Sequence, residues 1–65
     1  MAKETVGEAI ARLRKEKGMT LGKLSELSGI SAVEISMLEK GERKPWSSTI
    51  AKLAKALECD VSELY

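Results

Sequence analysis

Sixty-five residues make one domain, spanning 1–65, near the lower limit for a lone hydrophobic core, so stability rests on well-packed short helices, a staple or a partner. The single cysteine, Cys59, excludes an internal disulfide, and the absence of histidine excludes a cysteine–histidine zinc site. Eleven basic against ten acidic residues exclude a general polycation, and no apolar run approaches the roughly 20 residues of a membrane span. Phenylalanine is absent and alanine, leucine and isoleucine supply the apolar content, which favours helices over sheet. A lone cysteine and a start without a signal peptide point to a reducing, cytoplasmic setting.

Five short helices are expected in chain order. Thr5-Val6-Gly7-Glu8 has the form of a capping box, and Val6, Ala9, Ile10 and Leu13 repeat at helical spacing up to Gly18, which predicts a helix over about 6–17. Arg12, Lys15 and Lys17 then lie on a solvated face. Thr20 is the next N-cap. Leu21, Leu24 and Leu27 form the apolar stripe of a helix over about 21–28, in which Gly22 costs about 1 kcal/mol against alanine and permits a close backbone approach. Ser31 and Glu34 form a second capping box with Ile30 as its staple, opening a helix over about 32–40 that points Ile35 and Leu38 inward and closes at Gly41. Pro45 bars helix continuation through the following loop. Ile50, Leu53, Ala54 and Leu57 predict a helix over about 48–57 with Ser47 as a candidate N-cap, and Asp60-Val61-Ser62-Glu63 opens a last helix over about 61–65. Cys59, near the end of the fourth helix, reads as a packed thiol.

The second and third helices are separated by about Ser28–Ser31, with a glycine in the turn, which is the signature of a helix-turn-helix. Such a pair holds its second helix proud of the body, able to enter a major groove, while the first directs its N-terminal amides at a phosphate. Gly18-Met19-Thr20, Leu24, Gly29-Ile30-Ser31, Ile35-Ser36, Leu38-Glu39-Lys40-Gly41, Lys44-Pro45 and Leu53-Ala54-Lys55-Ala56-Leu57 resemble the Cro/C1-type helix-turn-helix family, the phage-repressor-like DNA-binding domains. The ordered set covers about residues 6–65. The resemblance implies an all-α, compact five-helix bundle (the lambda-repressor-like fold) and a role in transcription regulation. It also implies that Arg14 and Glu39 pair across the domain; otherwise they are two solvated charges.

The reading surface departs from the family. Leu21 stands where relatives often carry glutamine, which leaves the Leu21 amide and the Thr20 hydroxyl as phosphate ligands. The outward positions of the third helix are Ala32, Val33, Glu34, Ser36 and Met37, with no arginine or lysine for a bidentate pair with guanine. Ala32 and Val33 suit thymine methyls, Glu34 a cytosine amino group or merely its own capping box, Ser36 a base edge or a phosphate, and Met37 a methyl, a sugar or the edge of the core. The loop that follows places Lys40, Arg43, Lys44, Trp46, Ser47 and Ser48 where the family runs along the phosphate backbone. Trp46 either lays its ring on a sugar or covers the junction of the third and fourth helices; partial burial is expected. Residues 45–65 carry two basic and three acidic side chains, so this end faces away from nucleic acid.

The expected partner is double-stranded DNA, read by residues 32–40 in the major groove, by a natural regulator or one engineered on this scaffold. The alternative is a protein-interaction module using the exposed stripe Leu21, Ala32, Val33 and Met37. Neither reading involves catalysis, a cofactor, a metal, a membrane or a small-molecule substrate. Val61, Leu64 and Tyr65 offer a small patch for self-association, consistent with a monomer or weak homodimer.

Overall fold

The computed structural model describes residues 4–64. Thr5 caps the first helix: its hydroxyl accepts from the Glu8 amide at 3.1 Å while the Glu8 carboxylate accepts from the Thr5 amide at 2.8 Å. That helix, α1, runs Val6–Glu16, and Lys17 is its cap rather than its last residue. Gly18 follows at φ +67°, a left-handed conformation that costs glycine little.

The second helix, α2, spans Leu21–Ser28, capped by the Thr20 hydroxyl, which accepts from the Lys23 amide at 3.0 Å, and ended by Gly29 in the left-handed region. The third, α3, spans Ala32–Glu39, with Lys40 as its cap. Ser31 accepts from the Glu34 amide at 3.1 Å, but no reciprocal bond from the Ser31 amide to Glu34 forms, so only half of the expected capping box exists. The fourth, α4, is Ser47–Ala56, one residue earlier at each end than its apolar pattern suggests. Trp46, not Ser47, takes the N-cap position, and its side chain makes no capping bond.

The expected fifth helix is a single 3-10 turn, Val61–Glu63, held by the Asp60 amide donating to the Glu63 carboxylate at 3.0 Å. Among the described residues the fold therefore has four α-helices and no strand. Three residues are too few to meet the cost of nucleating an α-helix. Tyr65, which completes the expected helix and patch, lies outside the described residues.

α1 packs on α3, α2 on both α3 and α4, and the 3-10 turn on α4. The core between them is aliphatic. Ile10, Leu24, Ile35, Ile50, Leu53, Leu57 and Leu64 are fully buried. Leu64 is thus a core residue and not part of a surface patch; Val61 remains exposed. Leu27 is 50% exposed and leaves the stripe assigned to it.

Close approach occurs at one glycine, and it is not Gly22. A Cβ on Gly22 would meet only the Thr20 hydroxyl, at 3.8 Å. A Cβ on Gly7 would collide with the Leu38 carbonyl oxygen and lie 3.1 Å from that of Glu39. The first turn of α1 thus sits directly on the last carbonyls of α3.

α3 is also tied to α1 electrostatically. Arg14 donates from Nε to Glu39 Oε2 at 2.7 Å, from a terminal nitrogen to Oε1 at 3.1 Å, and from the other to the Met19 carbonyl at 2.9 Å. The two side chains are 13% and 12% exposed. The hydrogen bond to Glu39 raises the Arg14 pKa against the desolvation that lowers it. The basic face of α1 is exposed to solvent, and on it Arg12 bonds to Glu4 at 2.8 Å and to Glu16 at 3.3 Å. Cys59 lies beyond the end of α4, partly buried against the core; burial, with the Glu63 carboxylate adding to it, pushes its thiol pKa up. No helix among the described residues is long and apolar enough to cross a membrane.

Candidate nucleic-acid interface

α3 presents a shallow groove lined by Leu21, Ala32, Val33, Ser36, Met37, Lys40 and Glu42. Its placement follows from helical geometry. With Ile35 and Leu38 turned into the core, Val33, Ser36, Met37 and Lys40 fall on the opposite side of an α-helix. Val33 is 70% exposed, whereas Met37 on the same face and Ala32 at its flank are half-buried. Leu21 is partly buried and packs against the core, so the fully exposed apolar stripe expected from the sequence reduces to Val33 with half-buried neighbours.

Glu34 stands apart from this groove, about 100° round the helix from Val33. Its carboxylate makes no hydrogen bond or ion pair among the described residues. Glu42, which sequence reasoning missed, joins the groove's rim. The signal was Gly41: a left-handed residue after the helix folds the chain back, so that the Gly41 amide donates to the Leu38 carbonyl at 3.1 Å and the Glu42 amide to that of Met37 at 2.9 Å.

Two sets of backbone donors flank α3. At the start of α2 the amides of Leu21 and Gly22 have no protein partner among the described residues, and the Thr20 hydroxyl, already accepting from Lys23, retains a proton to donate. At the start of α4 the amides of Ser47, Ser48 and Thr49 are likewise unpartnered, because Trp46 supplies no cap. Lys40, Arg43 and Lys44 precede that helix and are all exposed, without a salt-bridge partner among the described residues. Trp46 is 76% exposed: it does not cover the helix junction, contrary to the partial burial expected. The aliphatic core is complete without it. The arrangement is a protruding, mostly apolar helix face between two clusters of donors, one of them cationic.

An all-helical fold whose second and third helices meet at a three-residue turn, with the later helix exposed on its outer face, is a helix-turn-helix domain. Residues 10–64 match the family described as helix-turn-helix, and the chain belongs to that family, in its Cro/C1 type. It is 42% identical over 62 residues to the uncharacterized HTH-type transcriptional regulator y4dJ of Sinorhizobium fredii, covering 95% of this chain and 80% of that protein. It is 45% identical over 56 residues to the HTH-type transcriptional repressor RghR of Bacillus subtilis, covering 85% of this chain and 42% of the other. The chain spans only 22% of the length of another relative, the uncharacterized HTH-type transcriptional regulator Mb0023 of Mycobacterium bovis, to which it is 39% identical over 57 residues, 88% of this chain. Among solved structures it resembles the DNA-binding domain of the P22 c2 repressor, with a TM-score of 0.91 at 33% identity over 98% of this chain and 84% of that one. It also resembles the P22 c2 repressor in complex with a synthetic operator, with a TM-score of 0.87 at 32% identity over 95% and 94% of the two chains.

Proposed function

We propose that this protein binds double-stranded DNA as a transcriptional regulator, inserting the outer face of α3 into the major groove. The observation that carries the reading is the flanking of an exposed helix face by amides and cations that have no partner among the described residues. Phosphates on one side meet Thr20 and Leu21; those on the other meet Lys40, Arg43, Lys44, Ser47 and Ser48, with the Trp46 ring against a sugar. Ala32, Val33 and Met37 pack on base methyls, Ser36 bonds to a base edge or a phosphate, and Glu34 accepts from a cytosine amino group at the flank. The relatives' roles as regulators and the operator complex of the P22 c2 repressor support this reading. The chain acts as a monomer or weak dimer and reads a half-site of about four to six base pairs, which limits its specificity ratio.

Salt titration tests the phosphate contacts. The logarithm of the affinity for duplex DNA is expected to fall linearly with the logarithm of salt concentration, and replacing Lys40, Arg43 and Lys44 together by glutamine is expected to flatten the slope by roughly 0.9 for each phosphate no longer neutralised. The apolar groove favours a second reading, docking on another protein. Absence of binding to duplex DNA at low salt would favour that reading instead, and duplex binding unaffected by the triple substitution would contradict the phosphate contacts assigned to Lys40, Arg43 and Lys44.

A further inference from the structure

A second groove lies where the C-terminal end of α2 meets the C-terminal half of α4. Met19, Leu27 and Ala56 supply its apolar floor, and Lys52, Lys55 and Glu58 ring it; Ser28 also lines it, with a hydroxyl that accepts from the Ile30 amide. Met19 and Ala56 are half-buried against the core, whereas Leu27 is 50% exposed although Leu24, one turn earlier, is fully buried. Lys52 and Lys55 stand one turn apart on α4, exposed and without a salt-bridge partner among the described residues. None of these residues lines the α3 groove, so a partner held here leaves the outer face of α3 open. Glu58 supplies an independent observation. The chain leaves α1, α2 and α3 through glycines in the left-handed region, Gly18, Gly29 and Gly41, but it leaves α4 through Glu58, at φ +55°. A Cβ is disfavoured in that conformation, so a carboxylate is retained where glycine would fold more easily. A side chain held against backbone preference on the rim of an apolar groove points to a contact that uses it.

We propose that the groove between α2 and α4 docks a short, acidic amphipathic helix of another protein. Leucine-type side chains of that helix cover Met19, Leu27 and Ala56, its carboxylates pair with Lys52 and Lys55, and a cation beside them pairs with Glu58. The charge order decides the class of partner. Two cations and one anion around hydrocarbon match a mixed-charge protein surface, whereas a phosphate backbone offers neither the hydrocarbon nor a cation for Glu58.

Two synthetic helical peptides of roughly 15 residues test it. One carries a leucine face edged by two glutamates and, beyond them, a lysine; the other has those charges exchanged. Titrated at low salt into the nitrogen-15-labelled protein, the first is expected to shift the amides of Met19, Leu27, Lys52, Lys55 and Glu58 and to leave Val33 and Met37 unmoved. The second is expected to bind about tenfold more weakly, the worth of three reversed surface ion pairs. Leu27→Asp, at a half-exposed position, is expected to abolish binding of the first peptide. Glu58→Gly is expected to move two readouts in opposite directions, raising the melting temperature by relieving the left-handed backbone and weakening the first peptide about threefold. Equal affinity for the two peptides, binding of neither, or an affinity unchanged by Leu27→Asp would overturn the docking site and leave the DNA reading untouched. Shifts of the Lys52 and Lys55 amides with duplex DNA in place of peptide would overturn it by making the lysines phosphate ligands. Self-association of the parent protein that is lost with Leu27→Asp would overturn it in favour of a second copy of the chain.

Discussion

Gly7→Ala is expected to destabilise this domain more than any other single-methyl addition. The new Cβ would overlap the Leu38 carbonyl oxygen, and that oxygen belongs to the helix backbone rather than to a side chain that can swing away. α1 would have to lift off α3. Overpacking of this kind costs about 3 kcal/mol, a large share of the roughly 3–10 kcal/mol available to a chain of this size. At several degrees per kcal/mol, the melting temperature should fall by on the order of 15 °C. Gly22→Ala is the natural control, since alanine there makes only an ordinary contact, 3.8 Å from the Thr20 hydroxyl. A Gly7→Ala variant that melts with the parent would contradict the contact between α1 and α3.

Glu39→Ala has the second largest expected effect. It leaves Arg14 largely removed from water, with only the Met19 carbonyl to accept from it. Removing one partner of a buried pair typically costs about 3 kcal/mol, because an uncompensated charge remains. Replacing both residues by leucine and methionine is expected to restore most of the loss, since the desolvation of two charges disappears along with their attraction. Thermal unfolding of the single and double variants checks both statements. A single variant melting within about a degree of the parent would mean that the pair is solvated in solution. The pair also ties α3 to α1, so a destabilising Glu39→Ala should weaken DNA binding across all sequences.

Much of the helix-turn-helix was legible in the sequence because its limits are chemical. Thr20 and Ser31 each accept an amide at the start of a helix, and Gly18, Gly29 and Gly41 each adopt the left-handed conformation that ends one. Periodicity misled where it was thin. Leu21, Leu24 and Leu27 are spaced by three, and each such step drifts about 60° round an α-helix, so the third residue rotates out to solvent. Aromatic size misled at Trp46, because isoleucine and leucine side chains fill the core unaided. The pairing of Arg14 with Glu39, 25 residues apart, came from the resemblance to the Cro/C1-type family and from no local pattern. Gly7 was invisible as a packing residue: within the first turn of a helix nothing local distinguishes it, and its constraint arises from a carbonyl far along the chain, that of Leu38. On the reading face, residue types were legible, but their partition between groove and flank was not. Only the packing of Ile35 and Leu38 determines that Val33 faces out while Glu34 turns aside.

The most direct test of the interface is a nuclear magnetic resonance titration of the nitrogen-15-labelled domain with a short mixed-sequence DNA duplex at low salt. The amide shifts are expected to concentrate at Thr20–Gly22, along the outer face of α3 from Ala32 to Lys40, and through Arg43–Thr49, leaving Leu27, Lys52 and Lys55 unmoved. Shifts centred on that last group, or no shifts at duplex concentrations where phosphate contacts saturate, would contradict docking through α3.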